Sequence, residues 1–278
     1  MQEKALAQGR NWKASAVDAI PFLGVQVSNL GVPEAARLIA DRPENAPFAY
    51  VVTPNAQHFV RLGRLRDSRF REAYAHAWLR LCDSQVARKL ARPMFGLSLP
   101  YAAGSDLTAY LFAHVIRPED AITVIGGSDE LHERLTDRFG LKRLLLHVPP
   151  MGFIDNPDAV EAAIQFVIGH PARYVFIAVG SPRSEYLARM IAERPGATGT
   201  GMCIGNSLNF VTDISRRAPE IYRKLGIEWL HRLALNPRGH ARRVFVESAP
   251  LLAMMAHAWL KPGAYDPPLG AQSSGACS

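Results

Sequence analysis

Residues 121–140 read AITVIGGSDELHERLTDRFG, a short apolar run, a glycine-rich turn and an amphipathic stretch, and the next apolar run, RLLLH, follows at 143–147. Strand, tight turn, helix and strand in that order make a βαβ unit, which requires parallel strands with the helix crossing over one face. Working outward, the same alternation extends from about residue 20 to 215. Strands are expected near 49–52 (AYVV), 78–82 (WLRLC), 174–179 (YVFIAV) and 201–204 (GMCI), besides 121–125 and 143–147. Helices fill the intervals. GVPEAARLIADR carries Pro33 near a first helical turn, GSDLTAYLFAHVI offers Ser105 or Asp106 as an N-cap, and NPDAVEAAIQFVIGH ends near a glycine. The expected fold class is α/β with a mainly parallel sheet.

After residue 215 the strand pattern stops. Ile221, Leu225, Trp229 and Leu233 recur every four residues and line one helix face, widened by Tyr222, Leu230 and Ala234. Pro237 is expected to end that helix, and a second helical segment to run until Pro250 interrupts ESAPLLAMMAHAWL. The expected organisation is an N-terminal extension (1–19), an α/β domain (20–215), a helical appendage (216–262) and a small, polar, disordered tail (263–278).

Charge sharpens this division. The chain of 278 residues has a formal net charge of +7, and residues 216–243 alone set eight arginines and lysines against two glutamates. Nucleic acid, an anionic membrane and a phosphorylated ligand all attract such a patch, and charge alone does not choose among them. Cys82, Cys203 and Cys277 have no paired spacing, which argues against a disulfide framework or a zinc site and for a reducing compartment. No run of 18 apolar residues occurs and the first residues lack a signal-peptide core, so neither a bilayer span nor export is expected.

In open parallel sheets ligands bind beyond the carboxyl ends of the strands. Polar residues stand at those ends repeatedly: Thr53 and Asn55 in VVTPNAQHF, Asp83 in RLCDSQ, Gly126, Gly127 and Ser128 in TVIGGSDE, and Gly180, Ser181, Pro182 and Glu185 in IAVGSPRSEYL. Glycine turns before helices can bring backbone N–H groups against a phosphate, or merely make tight turns. Asp83 reads as the N-cap of SQVARKLA before it reads as a general base at the end of an apolar strand, and Thr53 and Asn55 read as ligand contacts or strand-end turns. His58 is expected to be packed or solvated. The dinucleotide fingerprint, a Walker A loop, D-x-D and H-E-x-x-H are all absent, so no metal or other cofactor is expected.

With these motifs read together, the chain resembles the WecG/TagA/CpsF family of glycosyltransferases over about residues 20–246. The resemblance rests on TPN at 53–55, LCDSQ at 81–85, GSDL at 104–107, GSPRSE at 180–185 and RAPEIYRKLGIEWLHRLALNPRGHARR at 217–243. It implies a Rossmann-like domain with a helical C-terminal appendage, acting at the cytoplasmic face of the plasma membrane. It further implies metal-independent, inverting transfer of a hexosyl or N-acetylhexosaminyl group from a UDP-sugar to a sugar on undecaprenyl pyrophosphate, in surface-glycan or exopolysaccharide assembly. By motif, Asp83 is then the base, Thr53 lies at the reaction centre, and Arg232, Arg238 and Arg242 meet the acceptor pyrophosphate and the anionic membrane. The glycine loops, Asn55 and Glu185 hold the donor. Four positions depart from the family pattern: Ser184 stands at the usual glutamine, Ser84 at the usual glycine, and Tyr101 and Gly239 where arginine is common. No nucleic-acid partner is expected, and the competing readings are a nucleotide-dependent oxidoreductase and a non-catalytic nucleotide-sugar-binding or membrane scaffold.

Overall fold

The computed structural model describes residues 17–64, 67–215, 222, 249–266 and 269. Arg232, Arg238, Arg242, Gly239 and the stripe of Ile221, Leu225, Trp229 and Leu233 lie outside the described residues, as do residues 1–16.

Among the described residues, six parallel strands form one sheet in the order β4-β3-β8-β7-β5-β6. The strands are β3 (Ala49–Val52), β4 (Leu79–Arg80), β5 (Ala121–Ile125), β6 (Arg143–His147), β7 (Tyr174–Ile177) and β8 (Thr200–Cys203). Helices on both faces give a Rossmann-like α/β fold. Successive side chains alternate between faces, so Tyr50, Val52, Val175 and Ile177 enter one core while Val51, Tyr174, Phe176 and Met202 enter the other. The second core is covered by α1 (Val32–Asp41), α5 (Gly104–His114) and α6 (Asp129–Phe139); the first by α2 (Ala56–Gly63), α3 (Ser68–Ala75), α4 (Gln85–Phe95), α7 (Pro157–Gly169) and α8 (Arg183–Ala192). A short α9 (Ser207–Val211) follows β8.

Three strands match their expected bounds. The expected strand 78–82 narrows to Leu79–Arg80, yet backbone bonds from Trp78 to Tyr50, Leu81 to Val52 and Asp83 to Pro54 carry the β3 pairing as far as residue 83.

Residues 20–28 were expected only as the start of the α/β region, and Ala19 as the end of the N-terminal extension. They form an antiparallel hairpin of β1 (Ala19–Phe22) and β2 (Val25–Ser28) around Leu23 and Gly24, both at positive φ. A Leu-Gly turn lacks the usual polar hairpin signature, so the alternation test missed it. The hairpin packs along the β4 edge, where the Arg80 N–H donates to Ser28 Oγ at 3.0 Å and its guanidinium to the Gln26 carbonyl at 2.7 Å. An otherwise open sheet edge is thereby covered.

Pro250 opens a helix, α10 (Pro250–Leu260), since proline at a helix's first position loses no intrahelical bond; the segment expected to run up to it lies outside the described residues. Leu251 and Met255 are fully buried, and α10 packs on α2, where Gly63 leaves room for Met254. Beyond it, Leu269 donates to the Gly24 carbonyl at 2.7 Å and accepts from the Gln26 N–H at 2.9 Å. The last stretch expected in the appendage thus contributes to the first core, and the described part of the expected tail is tied to the hairpin.

Arg42 fastens the amino end of the sheet. It is 3% exposed, and its guanidinium donates to the Gly199 carbonyl at 2.6 Å and to the Pro47 carbonyl while lying 5.5 Å from the Trp78 ring. Burial alone pulls its pKa down to about 10, so it stays cationic. Arg42→Ala takes a donor from the Pro47 carbonyl, leaves Gly199 with only the Ala49 N–H and opens a cavity, at a cost of about 3 kcal/mol. A fall in melting temperature of roughly 6–12 °C is expected for a chain of this size, and a calorimetric shift under 2 °C would contradict it.

Candidate functional site

All the strand-end residues singled out above lie at the carboxyl edge of one sheet. The sheet order brings the 81–83, 53–55, 204–206, 178–181 and 126–128 loops side by side. Helix starts converge there too, but the polar residues divide into those that cap helices and those left for other work.

Three are caps. Asn55 accepts from the His58 N–H and starts α2, Ser84 accepts from Ala87 and starts α4, and Ser128 accepts from Leu131 and starts α6. The open alternative for Asp83 is thereby decided, since Ser84 and not Asp83 caps SQVARKLA.

Asp83 instead serves a different helix. Its backbone is fixed by donation to the Pro54 carbonyl at 2.9 Å, and its half-buried carboxylate accepts from the Gly104 N–H at 3.4 Å, at the start of α5. Neither Ser105 nor Asp106 caps α5, contrary to expectation: the helix begins at Gly104, and both residues lie inside its first turn. The physical reason is close approach. A Cβ on Gly104 would stand 3.0 Å from Thr53 Oγ1, so glycine brings the helix end against both Thr53 and Asp83. Thr53, 7% exposed, points its hydroxyl at the Cys203 carbonyl of β8, 3.4 Å away. Asp83, Thr53 and the positive end of α5 form one cluster.

The two glycine loops are unequal. The Gly126 N–H is committed to the His147 carbonyl at 2.8 Å, and at φ 94° any Cβ there would meet the Ala178 carbonyl oxygen at 2.9 Å, so this glycine serves packing. Gly127 and Ser128 are exposed, but α6 opens with Asp129 and Glu130, whose charges oppose a phosphate. Helix α8 has no side-chain cap and opens with Arg183, whose guanidinium lies 3.3 Å from the position of a Gly180 Cβ. An anion is better received at 180–183.

Two residues of that second loop turn inward. Ser184 is 1% exposed and its hydroxyl donates to the Ile177 carbonyl at 2.9 Å, so it is tied back to β7. Glu185 is 2% exposed, and burial pushes its carboxyl up to about 7. His58 is packed, with Nδ1 2.9 Å from the buried Tyr74 hydroxyl. Tyr101 is half-buried, three residues before the start of α5.

Sequence reasoning overlooked the end of β8. Gly205 and Asn206 are exposed there, between the Thr53 and Gly180 loops, and CIGNSLN at 203–209 carries the same strand-then-glycine signal as the sites that were recognised. Among the described residues no group of three or more His, Cys, Asp or Glu could hold a metal ion, and no helix is long and apolar enough to cross a membrane.

Fold and edge together define an α/β protein of Rossmann-like build with a carboxylate and helix N-termini gathered where such sheets bind ligands. The model of the WecG/TagA/CpsF glycosyl transferase family matches residues 20–264, and the chain belongs to that family. The match extends past the basic segment to include α10. The protein is a glycosyltransferase of the WecG/TagA/CpsF type.

Proposed function

We propose that the protein transfers a sugar from a UDP-sugar to a sugar carried by undecaprenyl pyrophosphate, with inversion, at the inner face of the plasma membrane, in building a surface or exported polysaccharide. The observation that carries this reading is the cluster of Asp83, Thr53 and the α5 start, joined along one edge to the anion-favouring turn at 180–183.

Asp83 Oδ takes the proton of the acceptor hydroxyl as that oxygen bonds to the anomeric carbon. The bond from that carbon to the UDP oxygen breaks on the opposite face, so a single displacement inverts configuration. Thr53 orients the reacting groups. Negative charge gathering on UDP is met by the 180–183 turn and the N-terminus of α8. Asn55, Gly127 and Ser128 complete the donor side, with Gly126 holding their loop in shape. The basic segment, through Arg232, Arg238 and Arg242, faces the acceptor pyrophosphate and anionic lipid. Neither a metal nor another cofactor has a part in this scheme.

Thermal stabilisation by a panel of UDP-sugars, each followed by transfer to a lipid-linked acceptor, tests the reading. A true donor at 100 times its Kd adds about 2.7 kcal/mol, which raises the melting temperature by roughly 5–10 °C. No shift with any UDP-sugar overturns the donor assignment. The closed-off Ser184 favours one other reading, a binding protein without transfer, and stabilisation with no product under any acceptor would establish it.

A further inference from the structure

Arg183 opens α8 and bends back over the 180–183 turn, its guanidinium 3.3 Å from where a Gly180 Cβ would stand. Tyr186 lies beside it on α8 one turn later, a rise of about 4.5 Å, and helical side chains tilt toward the N-terminus, which brings its ring back toward the turn. Over that ring sits a second guanidinium, that of Arg69 from the first turn of α3, 4.4 Å from the ring centroid.

The ring is fixed from the side of α3. The Tyr186 hydroxyl donates to Asp67 Oδ2 at 2.6 Å, and its ring meets Phe70 edge-on, with centroids 6.4 Å apart and planes at 84°. Asp67 is itself held as the N-cap of α3, where it accepts the Phe70 N–H at 2.9 Å. Its charge is taken up by Arg61, whose Nη2 lies 2.5 Å away and whose guanidinium rests 4.9 Å from the Phe70 ring. Arg69, which is exposed, stands outside that pairing. Among the described residues neither Arg69 nor Arg183 forms an ion pair with a carboxylate. A guanidinium over an aromatic face keeps its N–H groups for an anion.

A diphosphate at the 180–183 turn brings more negative charge than is offset by Arg183 and a helix N-terminus, the latter worth about half an elementary charge. We propose that Arg69, carried on the face of Tyr186, is a further donor-binding residue: it closes on the diphosphate from the α3 side while Arg183 and the start of α8 hold it from the other, with Asp67 and Arg61 keeping the Tyr186 platform in place. This rests on the reading of the 180–183 turn as the diphosphate site. As the sugar leaves, UDP gains negative charge and both guanidinium contacts strengthen, so Arg69 favours departure as well as binding.

UDP and uridine are the probes, the second having the base and ribose but no phosphate. Kd is measured by calorimetry on the full chain for wild type, Arg69→Gln, Arg69→Lys, Arg183→Gln and Arg64→Gln. Arg69→Gln is expected to weaken UDP ~10-fold, the loss of one charge-assisted contact, and to leave uridine unchanged. Arg69→Lys recovers part of that loss, because the charge stays while the flat fork over Tyr186 goes. Arg64, exposed at the end of α2, is the control: Arg64→Gln removes the same charge and changes neither affinity.

Salt supplies a second readout. The gap in UDP affinity between wild type and Arg69→Gln narrows as ionic strength rises, which a mere change of shape would not produce. This keeps the test decisive should uridine bind too weakly to titrate. Unchanged UDP affinity in Arg69→Gln beside a loss in Arg183→Gln overturns the inference and leaves the diphosphate turn standing. A loss in Arg69→Gln that ignores salt and falls on UDP and uridine alike also overturns it, since the residue would then act through shape. Absence of UDP binding in wild type overturns the donor site and this inference with it.

Discussion

Asp83→Asn is expected to lower the transfer rate ~10²–10⁴-fold, the usual loss when a general base is removed, while donor binding and fold persist. The structure makes this substitution unusually clean. The carboxylate accepts the Gly104 N–H, and an asparagine oxygen can accept the same bond; the donation from Asp83's own N–H to Pro54 is independent of the side chain. Ser84, not Asp83, caps α4, so no helix start is lost. Removing the charge from the α5 N-terminus costs about 0.3–1 kcal/mol, too little to unfold the protein. The signature is a fall in kcat with an unchanged Kd for UDP and a melting temperature within a few degrees of wild type. Near-normal turnover in a folded Asp83→Asn protein would remove this residue from the chemistry and leave Thr53 and the helix dipole to account for the rate.

The second large effect concerns the basic segment. Deleting everything after residue 215 is the obvious experiment, but it also removes α10, whose Leu251 and Met255 are core residues, and the Leu269 bonds that hold the hairpin. Loss of function in that truncation reports unroofing of the core as much as loss of charge. The informative variant is Arg232→Gln, Arg238→Gln and Arg242→Gln combined, with α10 left in place. Each basic residue near an anionic surface contributes about 1 kcal/mol, so the triple variant is expected to partition onto anionic vesicles ~10²-fold less, with little change on neutral vesicles. Transfer to the lipid-linked acceptor falls with it, whereas thermal stabilisation by UDP-sugar does not. Undiminished partitioning of the triple variant would show that these arginines do not meet the membrane.

Legibility in the sequence followed the range of the interactions concerned. The sheet strands and the start of α1 were readable because they depend on neighbours within a few residues. AITVI, YVFI and GMCI are apolar runs that only a sheet covered on both faces accommodates. Pro33 marks the start of α1 through local backbone geometry. Where a local rule was applied to a start set from afar, it failed, as with Ser105 and Asp106. The hairpin at 19–28 was missed for the same reason: Leu23 sits at positive φ, and the segment that pins the turn is more than 240 residues away. Within the site, the aspartate and threonine were recognisable from their strand ends, whereas Gly205 and Asn206 passed unnoticed although the same reasoning applied to them.

The sequence by itself determined that a parallel α/β sheet would gather Thr53, Asp83 and the 180–185 loop at one edge, since side-chain periodicity and strand-end position are local properties. It determined the family as well, through motifs that are contiguous. Only the tertiary structure decided that Asp83 rests on the start of α5 rather than α4, that Ser184 is tied back to β7, and that Glu185 is walled in by α3, β3 and β8. Those outcomes depend on which surfaces meet after the chain has folded, and enclosure, which turns an ordinary carboxyl into one titrating near neutrality, is a property of the surrounding volume that no single segment encodes.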